Sequence, residues 1–226
     1  MTRNPVVAAR EGIGRALSRP LVRDRITDFL RSYATDRRVL DLGCGNSPYA
    51  ALFPNRWCLD LRRKPGAAVV GDAHALPFAP DSFDLILSTE MLEHTIDPQR
   101  IVDEIRRVLR PGGRLLLTTR FAFPLHDVPG DYFRFTNYGL AHLFRDWSSA
   151  SIEPEATTME TMAVLLQRLA VQCEFRSSRP VRLALFLMAK LVARLGWLVT
   201  RQYGNSIRSA PVPQILVTGW HVSAVR

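Results

Sequence analysis

The first candidate chemical site is the segment VLDLGCGNSPYAALF. Asp41 lies within a short apolar run, and Gly43 and Gly45 follow it with one residue between them. The two glycines allow a tight turn and a close approach of the backbone to a ligand, because no Cβ stands in the way. Ser47 and Pro48 are typical of the cap and first residue of a helix, whose free N–H groups would face the end of the strand. The segment therefore predicts a cradle for a nucleotide or a carboxylate.

Acidic residues also follow the next two apolar runs. Asp60 and Leu61 close the second run, and Asp60 lies 19 residues after Asp41. A carboxylate there can accept both ribose hydroxyls of a nucleoside. The segment GDAHALPF places Asp72 and Ala73 at the end of the third run. A single carboxylate of this kind is often only a solvated turn residue, but three in series indicate a ligand site, because open α/β sheets bind ligands at the carboxyl ends of their strands.

Two histidines are candidates for a general base, since the unperturbed pKa of histidine lies near neutrality. His94 stands in TEMLEH, one helical turn after Glu90, and could equally orient a loop. His126 stands in the long segment FAFPLHDVPGDYFRFTNYG, which could fold over a reacting group. We favour His126 as the base. The five histidines are dispersed along the chain without the spacing of a divalent-metal site, so no metal is expected.

The same long segment is rich in aromatic residues and predicts a surface that binds the substrate. Tyr132, Arg134 and Tyr138 are the candidate substrate-binding residues. About half of the aromatic side chains are expected to fill the core instead. Arg134 could clamp a carboxylate or phosphate of the substrate, and an internal pair with Asp131 would explain it equally well.

Strand-like runs alternate with helix-like runs along most of the chain, a pattern that predicts a mainly parallel sheet covered on both faces. The clearest helix is expected to begin at Pro98 after an Asp97 cap and to reach Leu109. The strands are expected in RVLDLG, RWCLD, AAVVGD, FDLILSTE and RLLLTTR, with a further strand near ASIEPEATTM.

The length of 226 residues, with 47% hydrophobic and 23% charged residues, is that of one large globular domain. We expect an N-terminal helical region over 1–35, a ligand-binding core over 36–147, a helical insertion over 159–203 and a last strand over 213–226. A separate C-terminal subdomain is the alternative to an insertion.

The net charge of +9 raises the question of nucleic acid, but the basic residues form no compact tract with interleaved aromatics, so no nucleic-acid partner is expected. Three scattered cysteines, at positions 44, 58 and 173, are too few for a disulfide framework and favour a reducing compartment. No secretory signal or membrane span is apparent. The expected location is cytoplasmic.

Five segments of the chain, taken in order, resemble the successive motifs of class I S-adenosylmethionine-dependent methyltransferases. They are VLDLGCGNSPY, CLD, GDAHALPF, SFDLILSTEMLEH and EIRRVLRPGGRLLLTT. The resemblance is closest to the type 11 branch, which includes quinone and small-molecule methyltransferases. The resemblance implies a Rossmann-like sheet of seven strands with an antiparallel last strand. It implies S-adenosylmethionine as cofactor and methyl transfer as activity.

By the same resemblance, Asp41, Gly43 and Gly45 would border the methionine part of the cofactor, Asp60 the ribose, and the Asp72–Ala73 pair the adenine. The residues at the floor beneath the sulfonium would be Ser88, Thr89 and Glu90. A dinucleotide-dependent oxidoreductase is the competing class, but its fingerprint requires a third glycine that GCGNSP lacks.

The resemblance leaves the acceptor unnamed, and we expect a small molecule or a lipid-linked group methylated at oxygen. The alternative is a methyltransferase-like module that binds a membrane or partner without catalysis. An amphipathic helix is predicted over 180–201, within the segment RPVRLALFLMAKLVARLGWLVTR at 179–201. Its basic stripe contains Arg182, Lys190, Arg194 and Arg201. Such a helix fits an anionic membrane surface on the inner face of the membrane, and fits equally well the protein's own sheet or the second subunit of a homodimer.

Overall fold

The computed structural model describes residues 23–45, 47–62 and 69–226. Most of the N-terminal helical region predicted over 1–35 lies outside the described residues. Its described part contains helix α1, Arg23–Arg31. The first two residues of the predicted strand AAVVGD also lie outside them.

Seven strands form one sheet in the order β3-β2-β1-β4-β5-β7-β6. All neighbouring strands pair in parallel except those next to β7, which runs antiparallel to β5 and β6. This arrangement confirms the predicted α/β fold. The order reverses between β1 and β4, and in such sheets the ligand crevice opens at that reversal. The strands are β1 Val39–Leu42, β2 Arg56–Asp60, β3 Val69–Val70, β4 Phe83–Thr89, β5 Leu109–Arg120, β6 Ser149–Pro154 and β7 Gly219–Val225.

The helix predicted from Pro98 forms as α2, Pro98–Val108, and its start has the expected cap. The Asp97 carboxylate accepts a hydrogen bond from the backbone N–H of Arg100 at 3.1 Å, and Pro98 occupies the first turn. Ile101 and Ile105 are fully buried on its apolar face. The predicted helix end was one residue too late, because Leu109 already begins β5. The other helical elements here are α3, Asn137–Leu143, and two 3-10 helices, Ala50–Leu52 and Leu92–His94.

The central strands are buried on both faces, which explains their continuous apolar sequence. Every residue of β1 is buried. On one face, side chains of β1, β4 and β5 join Leu30 of α1 in a core cluster that contains Val39, Leu85, Leu87 and Leu116. Because side chains alternate along a strand, the intervening residues point to the other face.

The chain divides into two compact units. The sheet unit comprises residues 24–155 and 218–226, and the helical unit includes residues 156–217. The insertion predicted over 159–203 lies within this helical unit.

The helical unit contains α4, Thr158–Gln172, and α5, Ser178–Arg194, which pack against each other. A capping box begins α4, with Thr157 accepting from the Glu160 N–H and the Glu160 carboxylate accepting from the Thr157 N–H. A 3-10 helix, Leu195–Leu198, follows α5. The predicted helix over 180–201 was thus too long, and Arg201 lies beyond it.

The last strand was also predicted too long. β7 begins at Gly219 rather than at residue 213, and residues 213–217 belong to the helical unit. Among the described helices, none combines the length and the apolar character needed to cross a bilayer.

Candidate active site

Asp41 is a fully buried carboxylate on β1, and its two oxygens have different surroundings. Its Oδ2 accepts hydrogen bonds from the Ser47 hydroxyl at 2.9 Å and from the Arg56 guanidinium at 2.5 Å. Its Oδ1 is buried without a hydrogen-bond partner among the described residues. Burial raises the pKa of Asp41 to about 6, although Ser47 and Arg56 oppose the shift. One oxygen of Asp41 is therefore available to a donor group of a ligand.

The turn after β1 has the backbone conformation that the two glycines predicted. Gly43 and Gly45 both have positive φ angles, of +64° and +43°. A Cβ on Gly43 would come within 2.9 Å of the Met91 side chain. The backbone at Gly43 thus lies close to the segment that follows β4, and only glycine fits there without strain.

The α-helix predicted to begin at Ser47 and Pro48 does not form. The structure has a turn and then the short 3-10 helix Ala50–Leu52, which has no side-chain cap. The Ser47 hydroxyl contacts Asp41 and the Cys44 carbonyl instead of capping a helix. The expected row of helix N–H groups is therefore absent from the described part of this segment, and Ser47 orients the buried carboxylate.

Cys44 and Cys58 are paired in a disulfide, with their Cα atoms 5.6 Å apart. A single disulfide is not the framework that the sequence excluded, but the scattered spacing gave no reason to expect any pair. The disulfide connects the glycine turn to β2. Cys173 is free.

The acidic residues at the next two strand ends differ in exposure. Asp60 is buried at the end of β2, where its Oδ1 accepts the Arg62 N–H at 3.2 Å, and Leu61 is exposed. Asp72 and Ala73 lie two and three residues after the last residue of β3. The predicted strand AAVVGD extended to Asp72 and was therefore too long. Hydrogen bonds from the backbone and ring of His74 lower the pKa of Asp72.

The end of β4 faces the same region through Ser88 and Thr89. Ser88 is fully buried, and its hydroxyl has no hydrogen-bond partner among the described residues. The Thr89 hydroxyl makes a short hydrogen bond with the Tyr49 hydroxyl. Burial and the nearby Asp41 raise the pKa of Tyr49 to about 12. The sequence did not single out Tyr49, although its place in NSPY, just after the glycine turn, was a usable signal.

Glu90 belongs to a buried network of charges around Arg120. The Arg120 guanidinium forms an ion pair with Glu90 and donates to Glu155 Oε2 at 2.7 Å. Glu155 also accepts from the Thr218 hydroxyl at 2.6 Å. Burial raises the pKa of Glu90, while Arg120 opposes the shift. Glu90 adopts a φ of +52°, and hydrogen bonds to Thr118 hold it there.

The two candidate bases, His94 and His126, lie next to each other although 32 residues separate them. Their ring centroids are 4.7 Å apart. Buried Glu93 lies beside them, with its Oε1 3.9 Å from His126 Nε2. Burial lowers the pKa of His126, while Asp131 opposes the shift.

Arg134 holds the loop together. Its guanidinium makes two parallel hydrogen bonds to Asp131, at 2.6 and 2.7 Å, and it donates to the Phe123 and Pro124 carbonyls at 3.0 Å each. Arg134 strongly lowers the pKa of Asp131. These contacts support the internal pair that the sequence left as an alternative, and they occupy the donors expected for a substrate. Tyr132, in the loop, and Tyr138, on α3, are exposed.

The residues present fit S-adenosylmethionine. Asp41 Oδ1 is a buried acceptor suited to the ammonium group, and Asp60 provides a buried carboxylate at the end of the neighbouring strand. Gly43 leaves the space that a Cβ would fill. The expected positions of Ser88, Thr89 and Glu90 at the end of β4 complete the same edge of the sheet. The fold and this edge resemble those of class I, S-adenosylmethionine-dependent methyltransferases.

Comparison with known families agrees with this class. Residues 40–117 match the model of the methyltransferase domain of type 11. This part of the chain is therefore similar to the type 11 methyltransferase domain, and it runs from Leu40 of β1 to Leu117 of β5.

Several curated proteins are similar over the same region. A malonyl-[acyl-carrier protein] O-methyltransferase of Methylococcus capsulatus is 41% identical over 101 residues, which cover 36% of this chain and 37% of the relative. The biotin biosynthesis bifunctional protein BioHC of Cellvibrio japonicus is 30% identical over 144 residues, covering 57% of this chain and 28% of the relative. The matches thus span well under half of the length of these two relatives.

Solved structures share the fold at low sequence identity. A phosphoethanolamine N-methyltransferase 2 of Haemonchus contortus, in complex with S-adenosylhomocysteine, superposes with a TM-score of 0.56 at 18% identity, covering 92% of this chain and 54% of that one. The [4+2]-cyclase SpnF superposes with a TM-score of 0.53 at 18% identity, covering 90% and 80% of the two chains. One fold thus carries different named activities, so the acceptor and the reaction must be argued from the site.

Proposed function

We propose that the protein transfers a methyl group from S-adenosylmethionine to an oxygen of a small-molecule or lipid-linked acceptor. The observation that carries the proposal is the position of His126. The loop after β5 brings this histidine against the segment after β4, which follows Ser88 to Glu90, the residues expected on the cofactor side. A cofactor edge and a candidate base therefore belong to neighbouring segments of one sheet unit.

On the cofactor side, residues of the chain would bind and orient S-adenosylmethionine. Asp41 Oδ1 would accept a hydrogen bond from the ammonium group, and Asp60 would accept hydrogen bonds from the ribose hydroxyls. Asp72 and Ala73 would border the adenine. When bound, S-adenosylmethionine supplies a methyl group already activated on a sulfonium, so the protein must chiefly align the acceptor and exclude water.

On the acceptor side, His126 would remove the proton. As the acceptor oxygen forms its bond to the methyl carbon, the carbon–sulfur bond breaks, sulfur keeps the electron pair, and the hydroxyl proton passes to the imidazole. The lowered pKa of His126 favours its neutral form at pH 7, which is the form that can accept this proton. His94 is the alternative base.

Two features bear on the acceptor. Malonyl-[acyl-carrier protein] O-methyltransferases are among the similar proteins, and their names specify transfer to oxygen and an acyl group on a carrier. Tyr132 and Tyr138 are exposed and could contact an acceptor at the loop. The first feature supports an oxygen acceptor that is itself small or attached to a larger carrier, and the second supports its binding at the loop.

The test is to incubate the protein with S-adenosylmethionine labelled in the methyl group and with fractionated extract. Label in an acceptor together with S-adenosylhomocysteine is the expected result. Fragmentation of the product in mass spectrometry would then distinguish methylation at oxygen from methylation at nitrogen or carbon, and alkaline hydrolysis would release the label from a methyl ester but not from a methyl ether. Cofactor binding without label transfer in any fraction would contradict the proposal.

A module that binds a membrane or partner without catalysis is the second candidate function. It is supported by the exposed apolar side chains of α5, Leu183, Leu187, Met188 and Leu191, and by exposed Trp197 after it. Arg182, Lys190 and Arg194 provide basic groups on the same helix. This combination is typical of helices that lie on an anionic lipid surface.

A further inference from the structure

Three potential metal ligands meet beside the end of β4. Glu93, His94 and His126 each offer one ligand atom, and these atoms all lie within 4.8 Å of one another. Glu93 is fully buried, and the two histidines are half-buried. The sequence predicted no metal site, because the five histidines are dispersed along the chain without the spacing of a divalent-metal site.

Hydrogen bonds fix which nitrogen of His94 is available. Its Nδ1 lies 2.7 Å from the Gly130 carbonyl oxygen, which can only accept, so Nδ1 carries the proton. In the neutral tautomer of this ring, the other nitrogen, Nε2, has the lone pair. A histidine that donates through one nitrogen to a backbone carbonyl and presents the other is typical of metal-binding histidines.

His126 is oriented in the same way. Its Nδ1 lies 3.3 Å from the Pro124 carbonyl and 3.4 Å from the Asp131 carboxylate, and both of these groups are acceptors. Asp131 itself is held by Arg134 and by the His126 N–H. The imidazole of His126 therefore directs the lone pair of Nε2 towards Glu93.

Glu93 provides the buried anion. One of its oxygens, Oε2, accepts a hydrogen bond from the Thr119 hydroxyl at 2.7 Å. The other, Oε1, is buried and has no hydrogen-bond partner among the described residues. Its distance of 3.9 Å from His126 Nε2 is too long for a hydrogen bond. Burial of a carboxylate oxygen without a hydrogen bond costs free energy unless a cation or a proton neutralises the charge.

We propose that Glu93, His94 and His126 bind one divalent transition-metal ion, such as Zn²⁺ or Mn²⁺. Two imidazoles and one carboxylate favour such ions over Mg²⁺ and Ca²⁺, which prefer all-oxygen ligand sets. Ligand atoms around tetrahedral zinc lie roughly 3.4 Å apart, given metal–ligand bonds of about 2.1 Å. The three ligand atoms, which lie within 4.8 Å of one another, would therefore have to move closer by side-chain rotation when an ion binds.

Three protein ligands leave at least one coordination position open, which is the arrangement of catalytic rather than structural sites. The role of the ion in catalysis rests on the proposed function, whereas its binding does not. An acceptor hydroxyl at the open position would have a lowered pKa. Its proton would then leave to solvent, and His126 would act as a ligand instead of as the base.

The experiment is a titration of the untagged full chain with Co²⁺, after a chelator has removed bound metal and has itself been dialysed away. Co²⁺ at a nitrogen and oxygen site shows weak visible bands and no sulfur charge-transfer band, which separates this site from any site at a cysteine. We expect one equivalent to bind and Zn²⁺ to displace it. Absence of stoichiometric Co²⁺ binding would overturn the proposal.

Two variants locate the site, and a third is the matched control. His126→Ala and Glu93→Gln should each weaken Co²⁺ binding at least about 10-fold, a loss that already follows removal of an outer partner at known sites. His142→Ala removes an exposed histidine on α3 and should leave binding unchanged. Since Glu93 is buried, circular dichroism must show that its variant is folded, and half-buried His126 keeps the test decisive if it is not. Unchanged binding by folded His126→Ala would place the ion elsewhere and contradict the proposal.

The binding titration contains neither cofactor nor acceptor. Co²⁺ binding without any methyl transfer in the labelled assay would support the metal site and count against the proposed function. Methyl transfer by a protein that binds no Co²⁺ would support the proposed function and overturn the metal site. The two proposals can therefore fail separately.

Discussion

In the sheet unit, Asp41, Glu93 and Glu155 are carboxylates buried beneath the surface, whereas in the helical unit Leu183 and Leu191 are apolar side chains exposed on it. Each arrangement costs free energy in an ordinary folded protein. Buried charges lose hydration unless partners replace it, and exposed leucines keep apolar area in contact with water.

The partners differ accordingly. Glu155 finds Arg120 and Thr218 within its own unit, and Asp41 finds Arg56 and Ser47. For the exposed leucines of α5 the sequence left three partners open, namely an anionic membrane surface, the protein's own sheet and a second subunit. The comparison teaches that the sheet unit satisfies its buried charges internally, whereas the helical unit exposes apolar side chains whose partner stays a prediction. The following predictions test this contrast, from the largest expected effect to the smallest.

Replacing Arg120 should destabilise the fold most. Arg120→Met leaves buried Glu155 without its cation and removes the partner of Glu90, so we expect a loss of about 3–5 kcal/mol in the free energy of unfolding. Urea denaturation measures it. Arg145→Met removes an exposed ion pair with Asp146 and should cost less than about 1 kcal/mol. Equal losses in the free energy of unfolding for the two substitutions would show that the buried network stabilises the fold no more than an exposed ion pair does.

Removing His126 should affect catalysis with little effect on the cofactor. We expect His126→Ala to lower turnover about 10²-fold or more, because either a general base or a metal ligand is lost. Calorimetry should show S-adenosylmethionine binding close to that of the parent protein. His142→Ala is the control and should retain turnover. A His126→Ala protein with full activity would eliminate both roles.

Cofactor affinity should depend on pH through Asp41. Because its pKa is about 6, the carboxylate becomes protonated below that pH and no longer pairs with the ammonium group. Affinity should then fall by up to about tenfold for each pH unit below 6. Calorimetry across this range measures the slope, and Asp41→Asn should bind weakly at every pH. A slope that persists in Asp41→Asn would assign the titration to another group.

The same titration acts on stability with the opposite sign. The pKa of Asp41 is higher in the folded protein than the ordinary aspartate value of 3.8. Its contribution to stability is therefore fully present below about pH 3.8 and is lost as the pH rises through about 6. Folding and cofactor binding should respond to Asp41 in opposite directions.

The smallest effect concerns the helical unit. The Lys190→Glu/Arg194→Glu double variant should weaken salt-sensitive sedimentation with anionic liposomes, since each basic residue near such a surface contributes about 1 kcal/mol. Arg37→Glu/Arg106→Glu changes the net charge equally, at exposed positions of the sheet unit, and should sediment nearly as the parent does. If the parent protein shows no liposome binding at low salt, the exposed face of α5 has another partner.

The sequence by itself determined the elements whose causes are local. The Asp97 cap, Pro98 and the spacing of Ile101 and Ile105 specify α2, because a helix start and an apolar face depend on residues within a few turns. The continuous apolar runs specify the buried parallel strands in the same way. The positive φ angles of Gly43 and Gly45 also follow from residue type.

Only the tertiary structure decided what meets across long separations. In the folded chain, the rings of His94 and His126 lie next to each other. Cys44 and Cys58 form a disulfide. Arg134 binds Asp131, whereas the sequence had also allowed it to bind a substrate. The tertiary structure also ended α5 at Arg194, seven residues before the end that the basic stripe suggested. Such contacts depend on how the β5–α3 loop and the strand ends pack together, and no periodic pattern along one segment encodes the distance between two of them.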